Sequence, residues 1–222
     1  MLKNPELVLI DLDGTLVDSV PDLAISVDKT MRDLGLPEHG EAKVRLWVGN
    51  GVERLVKRSL TEELYAEPDP EQYEKAYSVF FEHYTEANGK HSCLFPGVKE
   101  GLIALKNKGF KLGCVTNKAE SFTLPLLETL GIRDFFGVVV SGDTLPYKKP
   151  RPEPLLHAAE FFGAKPEVCL MIGDSMHDVE AARNAGFEVV CVTYGYNHGI
   201  DIRDAKPDAV IDRIDELANL LN

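Results

Sequence analysis

Short apolar runs alternate with amphipathic segments of helical length along most of the chain, and this alternation restricts the fold more than any other feature. The first run, Leu7–Ile10, contains no polar residue, and similar runs recur at 111–116, 138–141, 168–172, 189–193 and 209–211. A strand that is apolar on both faces is typical of a parallel sheet covered by helices on both sides. The pattern therefore predicts an α/β protein with a Rossmann-like, doubly wound and mainly parallel sheet.

The segments between these runs have helical periodicity. They cover residues 98–108, 120–130, 153–162 and 178–185, with a last one at 215–221. Several of them are followed by a glycine, namely Gly109, Gly131, Gly163 and Gly186. Glycine adopts the left-handed conformation that ends many helices. We therefore expect each segment to be a helix that packs on the sheet.

The stretch from about residue 19 to residue 89 breaks this rhythm. Apolar residues follow helical spacing from Val20 to Leu34, with Gly35 as the stop, and again over 52–60 and 71–87. Ser19 and Asp22 have the spacing of a capping box at the start of the first helix. No strand pattern occurs among these segments. We predict a helical domain of residues 17–91, inserted into a core formed by residues 1–16 and 92–222.

Charge and composition exclude several classes of partner. The formal net charge of −12 disfavours binding to nucleic acid or to an anionic membrane, which both require a basic surface. No apolar run approaches the roughly 20 residues that span a bilayer, and no signal peptide is evident. The four cysteines form no Cys-x-x-Cys pair and are expected to be reduced core thiols. We expect a cytoplasmic protein; the sequence carries no indication of its oligomeric state.

Polar residues that can carry chemistry follow the predicted strands. Ligands of open α/β sheets bind at the carboxyl ends of the strands. The residues found there are Asp11 and Asp13 after the first strand, Thr116, Asn117 and Lys118 after the second, Lys148 and Lys149 beyond the third, and Asp174, Ser175 and Asp178 after the fourth. Carboxylates for a hard cation, together with cations and donors for phosphate oxygens, are what phosphoryl transfer requires.

These residues form four ordered motifs that resemble those of the haloacid-dehalogenase superfamily. The motifs are Asp11-x-Asp13-Gly14-Thr15, the strand-end Thr116, Lys149-Pro150-x-Pro152, and Gly173-Asp174-Ser175-x-x-Asp178. The resemblance covers essentially the whole chain and includes a helical cap inserted just after the first motif. It implies a phosphatase that acts on phosphate esters, because Asp13 is retained where relatives that cleave other bonds carry a non-acidic residue.

The resemblance also implies a role for each residue. Asp11 would attack phosphorus, and Asp13 would protonate the leaving group and then activate water. Mg²⁺ would be held by Asp11, the backbone carbonyl of Asp13, and Asp174. Thr116, with Asn117, and Lys149 would bind the phosphoryl oxygens. Lys149 is favoured over Lys148 because the family's lysine immediately precedes the proline.

Simpler structural roles compete with the functional ones at several positions. Ser175 and Asp178 have capping-box spacing, so Asp178 either begins a helix or supports the metal and Lys149. Thr15 and Asp18 share that spacing, and for Thr15 we expect a structural role. Arg54 and Arg58 lie one helical turn apart, an arrangement that usually marks a solvated helix face.

The motifs define the reaction, whereas the helical insertion is expected to define the substrate. Stretches 47–51, 142–146 and 193–199 resemble those of superfamily members that hydrolyse 2-phosphoglycolate. We therefore expect a small soluble phosphomonoester of that kind, with Arg45 or Arg54 of the insertion bound to its carboxylate. A sugar-phosphate mutase and a phosphorylated receiver domain remain as alternatives.

Overall fold

A parallel six-stranded sheet forms the centre of the computed structural model, which describes residues 5–221. The strands are β1 Leu7–Ile10, β2 Val17–Asp18, β3 Cys93–Leu94, β4 Lys111–Val115, β5 Val138–Val140, β6 Cys169–Gly173, β7 Glu188–Val192 and β8 Ala209–Ile211. The order across the sheet is β5-β4-β1-β6-β7-β8, with every neighbouring pair parallel. The predicted doubly wound α/β fold is thus confirmed.

Both faces of the sheet are covered by helices. The α-helices are α1 Val20–Asp33, α2 Glu41–Arg45, α3 Val52–Thr61, α4 Pro70–Ala87, α5 Val98–Asn107, α6 Glu120–Thr129, α7 Glu153–Phe162, α8 Met176–Ala185 and α9 Leu217–Leu220. Val8 and Ile10 of β1 pack in one apolar cluster with α5 and α6, whereas Leu7 and Leu9 pack in the other with α7 and α8. This alternation explains why β1 contains no polar residue.

Helices α1–α4 lie between β2 and β3 and form most of a third apolar cluster, which Phe122 and Tyr196 complete. Its largest fully buried side chains are Phe80 and Tyr84 of α4, which contact residues of α1 and α3. The short strands β2 and β3 pair antiparallel where the chain leaves the sheet and returns to it. Neither this two-residue pair nor the short helix α2 was predicted, because such brief elements have no periodicity to detect.

The predicted capping box of Ser19 and Asp22 is wrong. Helix α1 begins after Ser19, but no side chain caps it. The Asp22 carboxylate instead accepts hydrogen bonds from the backbone N–H groups of Gly89, His91 and Ser92, at 2.9, 2.8 and 3.0 Å. These long-range bonds fix the returning chain against α1, which spacing along the sequence cannot reveal.

Three smaller expectations were tested by the fold. The predicted C-terminal helix over 215–221 is shorter, because a 3₁₀ turn at Ile214–Glu216 precedes α9. Cys114, Cys169 and Cys191 are buried free thiols as expected, whereas Cys93 is exposed. Every helix within residues 5–221 is too short or too polar to span a bilayer.

Candidate active site

The nucleophile candidate Asp11 directly follows β1 at the centre of the sheet. Its backbone N–H donates to the carbonyl of Ile172 in β6 over 2.9 Å, so the sheet pairing fixes this residue. Gly14 has a φ of 90°, and its N–H donates to the Val17 carbonyl over 2.9 Å, which closes the turn after Asp13. A side chain at Gly14 would be strained in this conformation. The turn holds Asp13 beside Asp11 at the carboxyl edge of the sheet.

Lys149 lies beneath Asp11. Its Nζ is 2.8 Å from Asp11 Oδ1, 2.7 Å from Asp178 Oδ1 and 2.8 Å from the Val115 carbonyl. The Lys148 Nζ instead pairs with Glu53 of α3 at 3.1 Å. The structure therefore places Lys149, rather than Lys148, against the acids of the site.

Thr116 and Asn117 continue from β4 into the same site, and both are buried. The Asn117 amide bonds the backbone of Lys149 in both directions, accepting from its N–H at 2.9 Å and donating to its carbonyl at 3.0 Å. The predicted phosphate-binding side chain of Asn117 thus holds the lysine in place. Thr116 Oγ1 accepts from the Lys118 N–H at 3.2 Å.

Asp174 directly follows β6 and is buried. Its carboxylate accepts from the Thr15 hydroxyl at 2.8 Å and from the Tyr196 N–H at 2.6 Å. No helix begins at Thr15, so its spacing to Asp18 has no capping meaning. Thr15 has a structural role, as expected, because its hydroxyl holds the Asp174 carboxylate. A Cβ at Gly195 or Gly14 would lie 2.0 or 2.4 Å from Asp174 atoms, so both glycines are required for its placement.

Asp178 combines the two roles that its spacing left open. Its Oδ2 accepts from the Ser175 N–H at 3.1 Å and from the Ser175 hydroxyl at 2.7 Å, as expected at the start of α8. Its Oδ1 binds Lys149. Both carboxylate oxygens are therefore engaged, which makes Asp178 a support for Lys149 as well as a helix cap.

The acids suit a hard cation. Carboxylate oxygens of Asp11, Asp174 and Asp178 lie within 4.8 Å of one another. Burial raises the pKa of Asp11 to about 7, although Lys149 opposes the shift. Burial, together with the charges of Asp178 and Asp11, raises the pKa of Asp174 well above its ordinary value. Buried carboxylates that repel one another are stabilised by a divalent ion with oxygen ligands, so the residues present fit such an ion.

A cavity opens above Asp11 and Asp13. Its polar side consists of these acids together with Thr116, Asn117 and Lys118. Its opposite wall comes from the helical insertion and is mostly apolar, with the side chains of Leu23, Val48, Val52 and Leu55. The cavity thus has a polar side suited to a phosphate and an apolar side formed by the insertion.

Lys118 is a site residue to which the sequence pattern assigned no role. Its Nζ lies 3.3 Å from both carboxylate oxygens of Asp13 and donates to the hydroxyl of Tyr84 in α4. The available signal was its place two residues after Thr116 at a strand end. The second motif of the family does not extend to Lys118, and Tyr84 is 34 residues away in sequence.

The structure does not bring Arg45 and Arg54 into this cavity. Arg45 pairs with Asp18 at 3.2 Å and with Glu41 at 2.8 Å. Arg54 pairs with Glu67 at 2.5 Å. The expectation of a solvated face is wrong for Arg58, which is 3% exposed and donates to the carbonyls of Trp47 and Leu64. Helical spacing alone did not reveal that this side chain points inward.

Comparisons with known proteins agree with the fold. The model of the haloacid dehalogenase-like hydrolases matches residues 8–192. The phosphoglycolate phosphatase of Nitrosococcus oceani is 60% identical, over 100% of this chain and 99% of its own. That of Thiobacillus denitrificans is 49% identical, over 95% and 93%.

A solved structure shows the same architecture. It is described as a predicted phosphoglycolate phosphatase from Haemophilus somnus, and it superposes with a TM-score of 0.93. The two sequences are 36% identical, and the match covers 100% of each chain. The family match, the four motifs and their convergence at one sheet edge lead to a single assignment. The chain belongs to the haloacid dehalogenase-like hydrolase family.

Proposed function

We propose that the protein hydrolyses 2-phosphoglycolate to glycolate and inorganic phosphate. The observation that carries the proposal is the placement of Asp11 and Asp13 in one cavity, with Lys149 2.8 Å from Asp11. The 60% identity to a phosphoglycolate phosphatase over the full chain supports the choice of substrate. The apolar wall that the insertion contributes to this cavity also favours a small leaving group over a nucleotide or a sugar.

The proposed reaction has two steps. An Asp11 oxygen forms a bond to phosphorus while the bond from phosphorus to the ester oxygen breaks, and Asp13 donates a proton to that oxygen. Water then attacks the aspartyl phosphate, and Asp13 accepts the proton of the water. Asp11 is released as a carboxylate together with inorganic phosphate. Thr116 and Lys149 bind the phosphoryl oxygens and disperse their charge.

We assign Mg²⁺ to the carboxylates of Asp11 and Asp174 and the backbone carbonyl of Asp13. When bound, Mg²⁺ would supply positive charge that lowers the repulsion between Asp11 and an anionic phosphoryl group. Asp178 has both oxygens engaged, so we expect it to orient Lys149 and to contribute only indirectly to metal binding. Thr15 and the Tyr196 N–H keep Asp174 directed at the site.

We assign residues 17–91 to a cap domain and the rest of the chain to the catalytic core. The paired strands β2 and β3 lie at this boundary, and the segment between them supplies most residues of a separate apolar cluster. Cap residues line the cavity that contains Asp11, so closure of the cap would exclude bulk water from the aspartyl phosphate.

Phosphate release from a panel of small phosphomonoesters, with and without Mg²⁺, tests the proposal. We expect 2-phosphoglycolate to give the highest kcat/KM, and we expect EDTA or Asp11→Asn to abolish turnover. Glucose 1-phosphate belongs in the panel, because its conversion into glucose 6-phosphate would identify a mutase instead. A flat profile would contradict the assigned substrate, and a single turnover without further release would contradict hydrolysis.

A further inference from the structure

We propose that Lys118 binds the carboxylate of the substrate and thereby selects esters whose leaving group is negatively charged next to the ester oxygen. This inference rests on the proposed function, because it concerns the leaving group of that reaction. In this inference Lys118 takes the place of Arg45 and Arg54 as the partner of the carboxylate. Those two arginines form ion pairs with Asp18, Glu41 and Glu67 and do not line the cavity.

The position of Lys118 relative to Asp13 carries the argument. The Lys118 Nζ is 3.3 Å from each carboxylate oxygen of Asp13. If Asp13 protonates the leaving group, the ester oxygen lies within hydrogen-bonding distance of Asp13. In 2-phosphoglycolate only one methylene separates the ester oxygen from the carboxylate. A carboxylate at that position would lie beside the Lys118 ammonium.

The other described residues that line the cavity include no second cation to pair with that charge. Within residues 5–221, Lys118 is the only cationic side chain that lines the cavity. The facing wall has the apolar side chains of Leu23, Val48, Val52 and Leu55. An anion placed against them would lose hydration without compensation. A charge-assisted hydrogen bond to Lys118 would supply that compensation.

Tyr84 is the positioning residue for Lys118. It lies in α4 of the insertion, is fully buried, and accepts a hydrogen bond from the Lys118 ammonium. A helix of the cap thus holds the Lys118 ammonium over the leaving-group side of the site.

The test compares 2-phosphoglycolate with ethyl phosphate, which has the same chain length and no carboxylate. Lys118→Met also changes the surroundings of Asp13, so turnover of both esters will fall. The informative quantity is the ratio of the two kcat/KM values. We expect this ratio to fall about 10- to 100-fold, mainly through the KM for 2-phosphoglycolate, which is the scale of one charged hydrogen bond. Lys118→Arg keeps a cation and should restore part of the ratio.

Lys148→Met is the matched control, because Lys148 is a neighbouring lysine outside the cavity that pairs with Glu53. It should leave the ratio unchanged. Tyr84→Phe should raise the KM for 2-phosphoglycolate more than that for ethyl phosphate, and it serves as the test if Lys118→Met does not fold. A ratio that survives Lys118→Met or Tyr84→Phe overturns the inference. If the wild-type protein does not prefer 2-phosphoglycolate at all, it is the proposed function that fails.

Discussion

Lys149 Nζ lies 2.7 Å from Asp178 Oδ1, and neither side chain is more than 2% exposed. This pair connects the lysine beside the candidate nucleophile Asp11 to the first turn of α8. The second oxygen of Asp178 accepts from Ser175, the residue after the metal-ligand candidate Asp174. One buried carboxylate thus fixes both Lys149, the candidate phosphate-binding lysine, and the loop that contains Asp174.

Asp178→Asn should weaken both the fold and catalysis. Loss of one partner from a buried ion pair typically lowers the free energy of unfolding by about 3–5 kcal/mol. Misplacement of Lys149 should also lower kcat by roughly 100-fold. Urea denaturation and steady-state kinetics measure the two effects. Asp215→Asn breaks the surface pair with Arg213 and should change neither quantity appreciably. Wild-type stability in Asp178→Asn would show that the pair does not hold this region together.

Stability without metal should depend on pH through Asp11. Its pKa is about 7 in the folded protein against an ordinary value of 3.8, mainly because of burial. Between these values the folded state binds more protons than the unfolded state. The free energy of unfolding therefore falls as the pH rises from about 4 to about 7. Mg²⁺ binds the deprotonated acids, so it should raise Tm more at pH 7.5 than at pH 5.

Thermal unfolding in EDTA across this pH range, with Asp11→Asn as the comparison, isolates the contribution of Asp11 to the pH dependence of stability. The variant lacks the titrating carboxylate, so its Tm should decline less between pH 5 and pH 7. If the Tm of the two proteins declined in parallel with pH, Asp11 would not be the titrating group. Equal effects of Mg²⁺ at both pH values would argue against metal binding by acids that compete with protons.

Asp13→Asn should lower kcat for 2-phosphoglycolate by about two to four orders of magnitude, because it removes the acid and the base of both steps. A substrate whose leaving group needs no protonation separates the phosphorylation of Asp11 from the hydrolysis of the aspartyl phosphate. With p-nitrophenyl phosphate, Asp11 can still be phosphorylated, but hydrolysis of the aspartyl phosphate lacks its base. Stopped-flow absorbance should show a burst of about one nitrophenolate per site, followed by slow turnover. Near-normal steady turnover would exclude the assigned role.

Elements that depend on local pattern were predictable from the sequence, whereas contacts between distant segments were not. Leu7–Ile10 was placed correctly because a strand buried on both faces leaves an uninterrupted apolar run. Lys149 was separable from Lys148 only through the resemblance to the family, whose lysine immediately precedes the proline, as Lys149 precedes Pro150. By contrast, Ser19 and Asp22 matched a capping pattern, yet Asp22 binds the backbone near residue 90. A local rule cannot detect a partner that only the tertiary fold supplies.

The same limit applies to Arg45 and Arg54 of the insertion, which do not line the cavity. Spacing indicates which residues share a helix face but not which face meets the cavity. Lys118 was found at a strand end but given no role, because its contacts with Tyr84 and Asp13 join residues that are distant in sequence. Tyr196 was overlooked for a similar reason, since its backbone N–H rather than its side-chain type supports Asp174.

Arg54→Ala should leave the KM for 2-phosphoglycolate within about twofold of the wild-type value. Arg54 forms an exposed pair with Glu67, and such pairs contribute little. The KM of Lys118→Met, measured alongside, should rise well beyond that range. A strong increase in KM for Arg54→Ala would indicate that Arg54, rather than Lys118, binds the substrate carboxylate.

Gly195→Ala should weaken Mg²⁺ binding without changing any proposed ligand. A Cβ at Gly195 would lie 2.0 Å from the Asp174 Cβ, far inside van der Waals contact, so the Asp174 side chain must move. Residues that orient a metal ligand typically contribute 10- to 100-fold to metal affinity. We expect the Mg²⁺ concentration for half-maximal activity to rise by about that factor. Isothermal titration with Mg²⁺ should show the same loss of affinity.

The matched control is Gly109→Ala, in which the new methyl group meets no atom within 4 Å but the backbone is strained at a φ of 86°. That variant should lose about 1 kcal/mol of stability and keep the Mg²⁺ affinity of the wild type. If both alanine variants lost Mg²⁺ affinity equally, general destabilisation would explain the result. If Gly195→Ala bound Mg²⁺ normally, the position of Asp174 would not control the metal site.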